Sequence, residues 1–165
     1  MPHHTAEMAP ADELVPEMLE RGVRAARIYP KTHNFPLSDP VCGPLFEALQ
    51  AHHIPVFVDL SEVSADQAAG LCGRYPELSI VVCGASWGMD RQLEPVLEGA
   101  ENVYIETHFF QGHRAYERFV RDFGPDRLIF GTGLPDCSPG AAVMMCLYED
   151  IPDEARARIA GGNLL

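Results

Sequence analysis

Five short apolar runs, Ala25–Tyr29, Pro55–Leu60, Leu78–Cys83, Val103–Glu106 and Arg127–Phe130, recur roughly 25–30 residues apart, which leaves room for one strand, one helix and two short loops per interval. Val56-Phe57-Val58 and Ile80-Val81-Val82 are rich in β-branched residues and do not alternate with polar ones, the pattern of strands buried on both faces. Helical periodicity fills the intervals: around Leu45 and Leu49, over Ala65–Tyr75, Gln92–Leu97 and His113–Phe123, and over Ala141–Tyr148 after the last run. The pattern predicts an α/β fold of parallel βα repeats joined by right-handed crossovers. An open flavodoxin-like sheet would place a phosphate-cradling glycine loop after the first strand, and Tyr29-Pro-Lys-Thr-His33 contains no glycine.

A first helix is expected over Ala11–Arg21, stopped by Gly22 and weakened or kinked by Pro16. Another opens at Ile151-Pro-Asp-Glu-Ala and halts at Gly161-Gly162. Asn34–Gly43, with Pro36, Pro40 and Gly43, reads as an irregular loop over the sheet's C-terminal edge.

The totals suit one globular domain over residues 1–165, since the chain is 47% hydrophobic and 22% charged. A net charge of −12 without a basic patch repels phosphate backbones, so no nucleic-acid partner is expected. No apolar run approaches the ~20 residues of a membrane helix. Residues 1–14 lack the basic start and apolar stretch of a signal peptide. Five widely spaced cysteines suit reduced thiols. Together these predict a cytoplasmic protein with no membrane partner.

Gly22-Val-Arg-Ala-Ala-Arg-Ile-Tyr-Pro30, Arg74-Tyr-Pro-Glu-Leu-Ser-Ile-Val-Val82, Arg127-Leu-Ile-Phe-Gly-Thr-Gly-Leu-Pro135 and Gly161-Gly-Asn-Leu-Leu165 together resemble the amidohydrolase superfamily. The likeness is to the branch of TIM-barrel hydrolases and decarboxylases related to aminocarboxymuconate-semialdehyde decarboxylase, and it covers the chain from about residue 10 onward. The resemblance implies a (β/α)8 barrel with a divalent metal such as zinc. Its ligands would be a His-x-His pair on the first strand, a His ending the fifth, a His ending the sixth and an Asp ending the eighth.

Matching the five strands here to the fourth through eighth of the family puts Asp59 at the fifth-strand His, and Gly84, or Cys83 with a slip of one, at the sixth-strand His. Gly133 then stands at the eighth-strand Asp. The first-strand pair has no counterpart, and His3-His4 are adjacent, so on a strand they would point to opposite faces. Useful acidification of bound water needs about three or four convergent ligands, so no metal or other cofactor is expected.

Side chains at strand C-termini face a barrel's mouth, which selects Arg27, Lys31, His33, Asp59, Glu106, His108, Asp136 and Cys137. Asp59 is a candidate general base, or else the partner of Arg27 in a structural ion pair. Glu106 and His108 share one face of a strand, so they converge as an acid–base pair or a weak metal pair, or else lie in a solvated loop. Asp136 is a further catalytic candidate, with turn initiation or helix capping as the alternative. Cys137 as a nucleophile needs a base that the sequence does not identify.

Arg27, Lys31, His33 and Trp87 are candidate substrate-binding residues: the first three for an anionic carboxylate, Trp87 as a pocket wall at the sixth-strand mouth. The alternative for Lys31 and His33 is a solvent-exposed loop, and packing alone would also explain Trp87. His52, His53 and His113 read as surface residues at helix ends.

A closed eight-stranded barrel takes ~250 residues, with a floor of about 200, so this chain supplies the last five βα units of one. The sheet's open edges need either a homo-oligomeric partner or a missing N-terminal half. The combined expectation is an amidohydrolase-like hydrolase or lyase, its usual metal ligands replaced, acting on a small carboxylate or amide through Asp59, His108 and Lys31. The alternative is a catalytically silent barrel segment serving assembly or ligand binding.

Overall fold

A computed structural model describes residues 10–86, 88 and 90–164. The order is α1 (Ala11–Glu20), β1 (Ala26–Ile28), α2 (Asp39–Ala51), β2 (Val56–Asp59), α3 (Ala65–Arg74), β3 (Ile80–Cys83), α4 (Asp90–Gly99), β4 (Val103–Glu106), α5 (Ala115–Phe123), β5 (Leu128–Ile129), α6 (Pro139–Tyr148) and α7 (Asp153–Ala157). The strands form one parallel sheet in the order β1-β2-β3-β4-β5. Strand order that follows chain order sends every crossover helix to the same face and curls the sheet, as in a barrel. A flavodoxin-like sheet would instead reverse at a switch point. Among the described residues, no helix is long and apolar enough to cross a membrane.

Register sorts the strand residues onto two faces. Ala26 pairs with Val56, Val56 with Ile80 and Ile80 with Val103, while the next outward-facing level runs Ile28, Val58, Val82, Ile105 and Leu128. Apart from Ala26, these side chains are almost wholly buried, and together with Phe46, Leu49, Leu71 and Phe119 from the helices they form the core. Each such residue adds roughly 1.5–3 kcal/mol on burial.

The opposite face, which lines the interior of a closed barrel, carries Arg27, Phe57, Asp59, Val81, Cys83, Tyr104, Glu106 and Ile129. The central strand β3 and the two-residue β5 are buried on both faces throughout. On β2, Phe57 and Asp59 keep partial exposure. The expectation of strands buried on both sides thus fails at β2, because among the described residues no further strands roof that face.

One boundary differs from expectation for an identifiable reason. The irregular segment ends at Ser38 instead of Gly43, since Asp39 and Pro40 already form the first turn of α2. Proline is tolerated in a first helical turn because its missing N–H has no intrahelical partner there. Helix α1 runs through Pro16 unbroken, against the sequence signal, and buries only Val15 fully. Helix α3 begins with a capping box in which Gln67 N donates to Ser64 Oγ (3.2 Å) and Ser64 N donates to Gln67 Oε1 (2.9 Å).

Candidate active site

The C-terminal ends of the strands bring two polar pairs to the inner face. The first joins adjacent strands: Arg27 Nη2 donates to Asp59 Oδ2 at 3.2 Å. Asp59 Oδ1 accepts from Ser61 N (2.9 Å) and Ser61 Oγ (2.7 Å), so the turn after β2 fixes the carboxylate. The Arg27 guanidinium also lies 5.4 Å from the centre of the Tyr29 ring. Arg27 is half-exposed and Asp59 one-fifth exposed, so the pair stands at the rim and remains partly solvated.

The second pair is local to β4. His108 Nδ1 is bonded to the Glu106 carboxylate, and His108 N donates to Glu106 Oε1 at 3.1 Å. The two side chains are 10% and 11% exposed, which removes the solvated-loop alternative for both. A carboxylate held on Nδ1–H fixes the tautomer and leaves Nε2 as the basic nitrogen.

Glycines make room for both pairs. A Cβ on Gly131 would lie 1.4 Å from Glu106 Oε1, so that carboxylate occupies the space over a glycine in the loop after β5. A Cβ on Gly133 would lie 2.8 Å from His108 Cδ2, and one on Gly84 would lie 3.1 Å from Asp59 Oδ1. Gly84 and Gly133 have φ of +76° and +67°, which L side chains rarely adopt.

Gly131 is tied back by its own N–H, which donates to Thr107 Oγ1 at 3.1 Å. Gly131 and the buried Thr107 went unread in the sequence; the Gly-Thr-Gly run was the available signal. Cys83 is buried between these pairs in register with Asp59, and burial followed by the Glu106 charge pushes its thiol up to about 12.

The remaining candidates lie apart. Lys31 Nζ donates to the Ser61 carbonyl at 3.3 Å, and Thr32 N donates to Glu62 Oε2 at 2.8 Å, so this loop laces onto the loop after β2. His33 is exposed and leans on Tyr29, with ring centres 5.6 Å apart. Asp136 is exposed in a turn that Cys137 N closes by donating to Gly133 O at 2.8 Å. It does not cap α6, because Ser138 is the N-cap and its Oγ accepts from Gly140 N. Trp87 and His3-His4 lie outside the described residues. His52, His53 and His113 are exposed, as expected.

The amidohydrolase family model matches residues 5–163, and the chain belongs to that family. No curated protein matches it. Among solved structures it is similar to an uncharacterized TIM-barrel protein of Bordetella bronchiseptica, at 22% identity and a TM-score of 0.75, covering 96% of this chain and 62% of that one. It is similar to 5-carboxyvanillate decarboxylase of Sphingomonas paucimobilis, at 20% identity and a TM-score of 0.70, covering 93% and 61%. It is also similar to 2,6-dihydroxybenzoate decarboxylase of Rhizobium, at 16% identity and a TM-score of 0.71, covering 93% and 65%.

The fold is therefore part of a TIM barrel, and the chain spans about three fifths of the length of these structures.

The donor set at the positions matched to the family's metal ligands does not fit a divalent ion. Gly84 and Gly133 offer no side-chain donor, and the Asp59 carboxylate is engaged by Arg27 and Ser61. Among the described residues, no group of three or more His, Cys, Asp or Glu side chains is placed to hold a metal.

Proposed function

We propose that this chain carries out proton-transfer chemistry as a hydrolase or lyase on a small carboxylate- or amide-bearing substrate, with His108 as the acid–base group. The observation that carries this reading is the buried Glu106–His108 pair at the end of β4. An imidazole whose Nδ1–H is held by a carboxylate can take a proton at Nε2 from water, or return one to a leaving group or carbon centre. Glu106 stabilises the imidazolium formed in between. General acid–base catalysis of this kind contributes about 10²–10⁴-fold. Arg27 and Lys31 at the rim supply positive charge for a substrate carboxylate, and Asp59 holds Arg27 in place. The carboxylate preference is supported by the named activities of two similar structures, both decarboxylases.

The test uses protein dialysed against EDTA, assayed by absorbance against a panel of aromatic carboxylates and aryl amides. Turnover that falls by about 100-fold in His108→Gln supports the reading. Turnover unchanged in that variant, or none in the parent protein, overturns it. The second outcome favours a silent segment serving assembly or ligand binding, a reading also supported by the exposed apolar side of α6: Val143, Met144, Leu147 and Tyr148.

A further inference from the structure

Cys137 and His108 both border the space over Gly133. A Cβ built on that glycine would stand 2.8 Å from His108 Cδ2 and 3.1 Å from Cys137 Cβ, so the imidazole and the thiol-bearing side chain flank one missing methyl group. Cδ2 is bonded to Nε2, the nitrogen that Glu106 leaves available. We propose that Cys137, His108 and Glu106 form a thiol–imidazole–carboxylate triad, with Cys137 as a nucleophile toward activated acyl compounds such as esters and thioesters.

Each part of the arrangement has a separate cause. Glu106 is buried and fixes the imidazole from one side, while Gln111 Nε2 donates to the His108 carbonyl at 2.8 Å and steadies its backbone. Cys137 immediately precedes Ser138, the N-cap of the ten-residue helix α6, so the start of that helix fixes its backbone. It is half-buried, whereas Cys42, Cys72, Cys83 and Cys146 are buried. Phe109, in ring contact with His108 at 4.4 Å, and Leu134, next to Gly133 in the chain, are both large exposed apolar residues, and they suit a small apolar acyl group or an aryl leaving group.

In the chemical step, the thiol proton passes to His108 Nε2 as Sγ attacks the carbonyl carbon. A C–S bond forms, the C–O or C–S bond to the leaving group breaks, and the leaving group takes the proton from the imidazolium. Water then adds to the thioester with His108 as base, releasing the carboxylic acid and restoring the thiol. The proposal rests on the acid–base reading only in its use of His108.

The test is p-nitrophenyl acetate mixed with the full chain, following p-nitrophenolate release and locating the acetyl group by peptide mass spectrometry. The expected result is a stoichiometric burst with acetyl on Cys137, absent in Cys137→Ala. Acylation should slow by about 100-fold in His108→Gln, with a thermal melt to check that the fold is kept. Gly133→Ala, which puts a methyl group against both side chains, should also suppress it. Acetyl found elsewhere, or Cys137 acylated equally fast in His108→Gln, overturns the triad. Neither result touches the acid–base reading, which is judged by turnover of the carboxylate and amide panel.

Discussion

The Glu106 carboxylate lies over Gly131, in the volume a Cβ at that position would fill: the built atom falls 1.4 Å from Oε1. A strand side chain and a loop glycine are thereby made for each other. Gly131→Ala must expel Glu106 from its bond to His108 or push the loop off Thr107 Oγ1. Overpacking of this kind costs about 1–3 kcal/mol. Chemical denaturation should show that loss, together with a changed His108 imidazole signal in NMR. A variant as stable as the parent with an unchanged imidazole would show that the carboxylate is not seated there.

At the rim, the two partners of the Arg27–Asp59 pair should behave differently under mutation. Arg27 is half-exposed, so the ion pair with Asp59 contributes no more than about 1 kcal/mol, and Arg27→Ala should change stability little. Asp59→Ala also removes the acceptor for Ser61 N and Oγ and frees the turn after β2, so it should cost about 1–2 kcal/mol more than Arg27→Ala. Urea midpoints for the two variants decide this. Equal losses would mean that the Ser61 contacts contribute nothing.

Alkaline conditions should weaken the fold through its buried thiols. Burial pushes Cys83 up to about 12 and Cys72 to about 11, whereas an unfolded thiol ionises near ~8.5. Above that pH the unfolded chain sheds protons that the folded chain keeps, so stability falls as pH rises; below it these two groups leave stability constant. Each thiol steepens the fall by roughly 1.4 kcal/mol per pH unit until its folded value is reached. Unfolding midpoints at pH 7, 9 and 10 should decline in the parent chain and decline less in a Cys72→Ala, Cys83→Ala double variant. Parallel declines would assign the effect to other groups.

The βα succession was legible because local pattern alone specifies it: Ile80–Cys83 is apolar without alternation, and Ser64 and Gln67 write a helix start three residues apart. The Arg27–Asp59 partnership followed from strand ends facing one mouth. The burial of Glu106 and His108 was not legible, because it depends on Gly131 and Gly133, more than twenty residues onward in the chain. Pro40 misled the reading of α2, since the same residue marks a loop or a first helical turn. The approach of His108 and Cys137 to Gly133 was out of sight for the same reason: a clearance over a glycine in the loop after β5 leaves no periodic trace.

The open sheet and α6 should drive self-association of the 165-residue chain. The sheet ends in β1 on one side and β5 on the other, and among the described residues no further strand pairs with either edge. Unpaired strand edges with an uncovered inner face seek partners. Helix α6 has no charged residue, and it exposes Val143, Met144, Leu147 and Tyr148 at helical spacing on one side. Repulsion between copies carrying a net charge of −12 opposes contact at low salt, so association should strengthen as salt screens it. Light scattering coupled to size exclusion should therefore give a mass above the 18.2 kDa of one chain, rising with ionic strength. Met144→Glu with Leu147→Glu should shift it toward the monomer; a monomer at every salt concentration would show that these surfaces need no cover.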